Sequence, residues 1–484
     1  WDHEGALALL EQAPARGEGS VRFSAEISAE EMQAKVDYLA GDALEGRMTG
    51  SEGIRRASEY LIKSLIELGT EPVEGSYRHP FEYVESIELA GQGNSLMAGG
   101  AAGVAGNASV ALGTGYMPLP FSANGQVQAE IVFAGYGITA PDESGLTYDD
   151  YANVDVDGKV VLVLDGTPAF LDEQQERELL RYATPRYKAF RASENGAAAI
   201  LFIDERERPW NGPRNERTAQ QAGILAAQVK APVADAWLAA ASPEHSTASL
   251  KQAYAALNPH AQTTFATGVQ AELAIALETR MGVDENIVAL IPARGADGEG
   301  RAEKTLLLGA HLDHLGYGET SSRASGEQAN AIHNGADDNA SGTAMVLELA
   351  EYLADLEARE PGTLAYNVAV AFWSGEELGL IGSSDFAGSV AFEALDVAAY
   401  LNFDMVGMLD GNSLILQGLG SSQGWRSIVE RKNFAAGFQL SLSDDPYVPT
   451  DGMALYQAGV PILCFFTGLH DHYHMPTDDP GNLN

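Results

Sequence analysis

The sequence predicts an α/β protein: a mostly parallel, mixed sheet flanked by helices on both faces and interrupted by a β-rich insertion. Two observations carry that prediction. From Asn286 onward, near-continuous apolar strands ("NIVALIP", "TLLLGAHLD", "NVAVAFW", "AAYLNFDMVG", "VPILCFF") alternate with helical segments, the pattern of a parallel sheet covered on both faces. Between Gly125 and Thr279 the texture changes to short strands such as "AEIVFAG", "KVVLVL" and the end of "NGAAAILFI", which reads as a separate inserted domain. The chain therefore divides into residues 1–124, 125–279 and 280–484.

Taken in order, the first stretch is helical. Ser28 and Glu31 stand at capping-box spacing, and Ile54, Ala57, Leu61, Leu65 and Leu68 repeat at helical intervals until Gly69 ends the run. The glycine- and alanine-rich passage 90–109 is expected to be an irregular surface loop. In the insertion, His245 and His260 are far apart and show no ligand pattern, so they read as surface residues.

Composition excludes several function classes. The 484 residues are 45% hydrophobic and 20% charged, ordinary for a compact soluble fold. Its 68 acidic and 29 basic residues give a formal charge of −39, which repels phosphate backbones and anionic lipid, so nucleic acid is not an expected partner. No apolar run approaches the roughly 20 residues needed to span a bilayer. The single cysteine, Cys464 in "VPILCFF", reads as a core thiol, which leaves metal chemistry to His, Asp and Glu. The chain begins at Trp1 without a leader, as a processed or engineered N-terminus would.

Ligands of parallel α/β sheets collect beyond the carboxyl ends of the strands. The polar clusters fall there: His311 and Asp313 after "TLLLGA", Glu376 and Glu377 after "NVAVAFWSG", Asp404 after "AAYLNF", and His470, His472 and His474 after "VPILCFFTG". Asp337 and Asp338 open a helix in "NGADDNASGTA". So many carboxylates at one edge repel unless cations sit among them, and imidazole with carboxylate but no thiolate suits zinc. In this reading His311, Asp337, Glu377, Asp404 and His474 hold two Zn2+ ions, Asp337 bridges them, and the Asp313 carboxylate orients His311 through its other ring nitrogen.

The blocks "GAHLDHLG", "NGADDNASGTA", "WSGEELGLIGS", "LNFDMVG" and "YHMPTDD" resemble, in order and spacing, those of the zinc aminopeptidase family that includes bacterial leucyl aminopeptidases, aminopeptidase Y, glutamate carboxypeptidase and the transferrin receptor. The resemblance covers nearly all of 286–479, "LAGDALEGRMTGSEGIRRASEYLIKSLIELG" is similar to the family's opening helices, and "VFAGYGI" with "ENGAAAILFI" is similar to a protease-associated domain. It implies the same five ligands, Glu376 as general base, a cis peptide between Asp337 and Asp338, and Tyr473 as a residue polarising the scissile carbonyl. His470 and His472 receive no role from it. "PTDGMALYQAG" departs from the pattern, with Gly452 and Met453 where many relatives carry histidine and proline after the block's aspartate, Asp451 here. The chain also stops ten residues after His474, where relatives continue into a final helix.

The expected activity is release of N-terminal residues from peptide substrates, since a carboxylate-rich pocket suits a free α-amino group. A carboxypeptidase would need arginines to grip a terminal carboxylate. Arg301, Arg323, Arg359, Arg426 and Arg431 lie outside the motif blocks, although Arg181, Arg186 and Arg191 of the insertion keep carboxypeptidase activity open. The same fold also admits a noncatalytic binding protein and a single-zinc aminoacyl cyclase. The family resemblance implies a periplasmic or extracellular location. Side-chain preference and oligomeric state are not legible.

Overall fold

The computed structural model describes residues 26–100, 108–140, 148–168, 179–180, 182–207, 210, 222–256, 263–294 and 302–484. Trp1, Arg181, His260 and Arg301 lie outside them. The chain forms two compact units, one of residues up to Tyr83 together with Gly282–Asn484, the other Val84–Met281.

In the first unit, helix α1 (Ala29–Leu39) starts where Ser28 Oγ accepts from the Glu31 amide at 3.1 Å. Helix α2 (Glu52–Glu67) buries Ile54, Ala57, Leu61 and Leu65, the stripe its spacing predicts. Among the described residues nine strands follow: β1 (Glu71–Pro72), β2 (Arg78–Leu89), β3 (Leu277–Ile291), β4 (Thr305–His311), β5 (Asn367–Trp373), β6 (Val397–Phe403), β7 (Ser413–Gln417), β8 (Gln439–Leu442) and β9 (Ile462–Phe466). Their order is β1-β3-β5-β4-β6-β9-β7-β8, with β2 pairing β3. Strands β5, β4, β6 and β9 are mutually parallel, whereas β3 and β7 run antiparallel to their neighbours β5 and β9.

Alternation along these strands feeds two cores. Ile287, Ala289, Leu308, Val368 and Val370 pack with α1, α2 and α3 (Gly342–Arg359) on one face. Val288, Leu290, Leu307, Ala369 and Trp373 pack on the other with α4 (Ile381–Ala387), α5 (Val390–Leu395) and α6 (Asp451–Gln457). Strand β4 is central. Its successor β5 lies on one side and β6 on the other, so the crossover loops diverge at their carboxyl ends and leave a crevice. Cys464 is buried in the second core, as expected.

In the second unit the strands run Ala108–Val110, Ser95–Gly99, Thr264–Ile275, Gly125–Ala134, Val160–Leu164, Ala199–Asp204, Leu225–Lys230 and Tyr116–Pro118 across one sheet. Two of them occupy part of the passage 90–109 expected to be a loop, because Leu96 and Ala98 alternate inward and Ser95–Gly99 pairs with Thr264–Ile275. Pairing with that strand draws the unit's border back to Val84, where the composition change had suggested 125.

Candidate metal centre

The crevice holds the clustered acids and imidazoles. His311 ends β4 and is buried. Its Nδ1 donates to the Asp313 carbonyl at 3.0 Å, which turns Nε2 toward Asp338 Oδ1 at 3.2 Å and Asp404 Oδ1 at 3.3 Å. His474 repeats the device: Nδ1 donates to the Ser321 carbonyl at 3.0 Å, and Nε2 faces Asp338 Oδ2 and Glu377 Oε2, each at 3.3 Å. Asp338 is thus shared, one oxygen toward each imidazole. Acceptors on both Nδ1 atoms set the tautomer in which Nε2 is available as a ligand.

This corrects the expectation for the acidic pair. Asp337 turns away: its Oδ1 accepts from the Gly407 amide at 2.6 Å and Ser341 Oγ at 3.1 Å, and its Oδ2 meets His470 Nε2 at 3.0 Å. The residues around it follow an irregular path, with Asp338 at φ −103° and ψ 91°, so neither helical nor strand periodicity tells which acid points inward. The cis peptide joins Asp338 to Asn339 rather than Asp337 to Asp338. Asn339 then ties the segment down, donating to the Phe403 carbonyl at 2.9 Å and accepting from the amides of Gly342 at 3.0 Å and Met405 at 3.2 Å. His470, given no role from the sequence, is the partner of Asp337.

The role expected of Asp313 also changes. Its carbonyl, not its carboxylate, orients His311, whose Nδ1 is 3.8 Å from the nearer carboxylate oxygen. The carboxylate instead accepts from Thr49 Oγ1 at 3.0 Å and from the amides of Glu376 at 3.2 Å and Glu377 at 3.3 Å, fixing the turn after β5.

Three supporting residues escaped the sequence reading. Asp478 is fully buried and accepts from the amides of Asp337 and Asp338, each at 3.0 Å. Arg47, also buried, donates to the carbonyls of Leu312 at 2.9 Å, Asn334 at 2.7 Å, Gly335 at 3.0 Å and Leu39, binding the loops after β4 and before α3. His314 contacts Glu377. Asp478 was visible as the first acid of "TDD" and His314 as the second histidine of "HLDH", but nothing local signals a buried guanidinium at Arg47.

The electrostatics show a centre that demands positive charge. Burial pushes the Asp338 carboxyl upward, yet the imidazoles of His314, His311 and His474 more than reverse this and hold it well below the usual range. Burial disfavours the charged form of His474, but hydrogen bonds to Asp338 and Glu377 raise it to about 10. Glu376, for which no such bond is present among the described residues, is pushed well above the usual range, first by burial and then by Asp451, Glu377 and Asp404 against the opposing His311. Burial likewise takes Asp313 and Asp337 to about 6 and Asp451 to about 7.

In the crevice two donor groups share Asp338: His311 with Asp404 on one side, and on the other Glu377, beside which stand both His314 and, through Nε2, His474. Nitrogen and oxygen donors without thiolate fit a pair of divalent ions sharing a carboxylate. The aromatic ring of Tyr473 stacks on that of His474, centroids 3.9 Å apart, and burial raises its phenol. Arg323, one of the five arginines the sequence left outside the motifs, reaches this loop, donating through Nη1 to the Tyr473 carbonyl at 3.2 Å and through its amide to the His474 carbonyl at 3.0 Å. His472 bonds to Thr477. Gly452 is explained by packing, since a Cβ there would stand 2.6 Å from Cys464 Sγ.

The family model described as Peptidase family M28 matches residues 286–484, the span that carries both donor groups. A second model, the PA domain, matches residues 127–237 within the second unit. The chain shows 32% identity over 128 residues to leucine aminopeptidase 1 of Coccidioides posadasii, covering 26% of this chain and 29% of that protein. A probable lipoprotein aminopeptidase, LpqL, of Mycobacterium tuberculosis is 26% identical over 399 residues, 81% of this chain and 62% of the relative. The chain thus matches less than two thirds of the length of either relative. The solved structure of BSAP, a zinc aminopeptidase from Bacillus subtilis, superposes with a TM-score of 0.51 at 18% identity, covering 96% of this chain and 91% of that one, and shows the same fold.

Proposed function

We propose that the M28 domain is a di-zinc aminopeptidase, with Asp338 shared between two ions, His311 and Asp404 completing one position and Glu377 and His474 the other. The observation that carries this is the division of the Asp338 carboxylate, Oδ1 toward His311 and Oδ2 toward His474. Zinc held there supplies the charge that polarises a carbonyl and brings the pKa of water toward neutrality.

The protein's own contribution is positioning and proton transfer. Glu376 sits beside the donors, its amide held by Asp313, and among the described residues no hydrogen bond commits its carboxylate to the cluster. It takes the proton of a water molecule whose oxygen adds to the peptide carbonyl carbon. As the C–N bond breaks it delivers that proton to the departing amine. The Tyr473 phenol, kept neutral by its raised pKa, is the donor proposed for the developing oxyanion, a contribution of about 3 kcal/mol when well placed. The carboxylate excess suits a substrate's free ammonium, and both curated relatives bear aminopeptidase names. Location outside the cytoplasm belongs to the same proposal, supported by the lipoprotein description of the mycobacterial relative.

Chromogenic aminoacyl substrates should be hydrolysed, their N-blocked counterparts should not, and a chelator should abolish turnover. Glu376→Gln should keep two zinc ions per chain by elemental analysis while losing roughly 10²–10⁴-fold in kcat. Preference for blocked substrates sinks the aminopeptidase reading, and an active Glu376→Gln sinks the assignment of the base.

A further inference from the structure

His314 is used by none of these steps, yet it is fully buried against the cluster. Its Nδ1 lies 2.8 Å from Glu377 Oε1 and 3.9 Å from Asp338 Oδ2. A carboxylate oxygen only accepts, so Nδ1 carries the hydrogen and donates to Glu377. The ring is held firmly: its backbone amide donates to the Arg47 carbonyl at 3.2 Å, and a Cβ on Gly335 would stand 2.5 Å from its Cγ. Its Nε2 is buried without a hydrogen-bond partner among the described residues.

The two oxygens of Glu377 are consequently divided. Oε1 is taken by His314, while Oε2 faces His474 Nε2 at 3.3 Å. The terminal torsion of a glutamate is broad and roughly two-fold, so an unheld carboxylate has no preferred oxygen to present. We infer that His314 is a positioning residue: its Nδ1–H pins Oε1 and leaves Oε2 alone as the Glu377 donor to the metal position completed by His474. This rests on the di-zinc reading above and assigns the two positions unequal support, because the side-chain partner of the Asp404 carboxylate among the described residues is His311, itself a member of the donor set, at 3.3 Å from Oδ1. Loss of an outer partner of this kind typically lowers metal affinity 10–100-fold.

The test uses the full zinc-loaded chain, with zinc affinity read by chelator competition and stoichiometry by elemental analysis, independently of turnover. His314→Phe keeps a ring but removes the donor. His314→Asn loses the ring but places its amide nitrogen near the position of Nδ1. Expected is a wild type with two zinc ions, a Phe variant in which one of the two is weakened roughly 10–100-fold, and an Asn variant close to wild type. A Phe variant with both affinities unchanged overturns the inference while leaving the di-zinc reading intact. So does an Asn variant as weak as Phe, because ring shape or direct ligation would then be the role of His314. If the Phe variant fails to fold by circular dichroism, His314→Ala removes the donor without crowding and replaces it in the comparison. A wild type binding fewer than two ions overturns the di-zinc reading itself.

Discussion

Exchanging each acid of the Asp337–Asp338 pair for alanine separates two assignments that differ by one residue. Asp338→Ala removes the carboxylate facing both His311 and His474, leaving each metal position with two protein side chains. Asp337→Ala removes no metal-facing oxygen but deletes the bonds from Gly407, Ser341 and His470. At about 1 kcal/mol net per bond, the loss is roughly 3 kcal/mol. At about 2–4 °C per kcal/mol for a domain of this size, Tm falls by roughly 6–12 °C. The anchors lost lie on the loops that carry Asp404 and His474, so zinc affinity weakens, by roughly 10–100-fold for a supporting contact. The assay is zinc per chain by elemental analysis after gel filtration in metal-free buffer, with calorimetry on the same samples. Asp338→Ala should emerge depleted of zinc and Asp337→Ala should retain it with a lowered Tm. If Asp337→Ala is zinc-free while Asp338→Ala holds two ions, the orientation of the pair described above is wrong.

Two further outcomes follow from burial. In the second unit Asp150 is fully buried, accepting from the amides of Tyr136 at 3.0 Å and Ile138 at 3.1 Å and from Tyr148 Oη at 3.0 Å, and burial raises it from 3.8 to about 7 against the opposing Lys188. Because the folded value lies above the unfolded one, its stabilising contribution is complete below pH about 4 and is lost as the pH rises through 7, by up to about 4 kcal/mol. The calorimetric transition of that unit should move to lower temperature between pH 5 and 8, and Asp150→Asn should flatten the trend; an unchanged slope refutes the assignment. In the first unit Gly452→Ala drives a Cβ against Cys464 Sγ and should cost about 1–3 kcal/mol in denaturant unfolding, with Cys464→Ala recovering part of the loss in the double variant. Strictly additive effects would show that the two side chains do not meet.

The legible parts of the fold were those with strong local patterns. The apolar runs at 305–311, 367–373, 397–403 and 462–466 are the four parallel strands, and the stripe at 54–65 is the buried face of α2. The second unit begins at Val84, earlier than the composition change at 125, and the glycine-rich passage between them hid its strands because they are only three and five residues long, too short for their alternation to outweigh turn-forming composition.

In the centre the placement of His311, Glu377, Asp404 and His474 near the carboxyl ends of strands followed from a local rule, since a residue's distance from a strand end is written in the chain itself. Which acid of the pair enters the crevice was not local. Asp338 is selected by the bond its amide donates to Asp478 and by the bonds Asp337 accepts from Gly407 and His470, across 140, 70 and 133 residues of chain. The same holds for Arg47, whose carbonyl partners near Asn334 lie 287 residues away, and for the substitution of the Asp313 carbonyl for its carboxylate. Chemistry class, strand edges and the donor inventory are properties of residue type and near-neighbour pattern, and the sequence determined them. The direction of each donor depends on hydrogen-bond partners brought together only when the sheet closes, and the tertiary structure alone decided it.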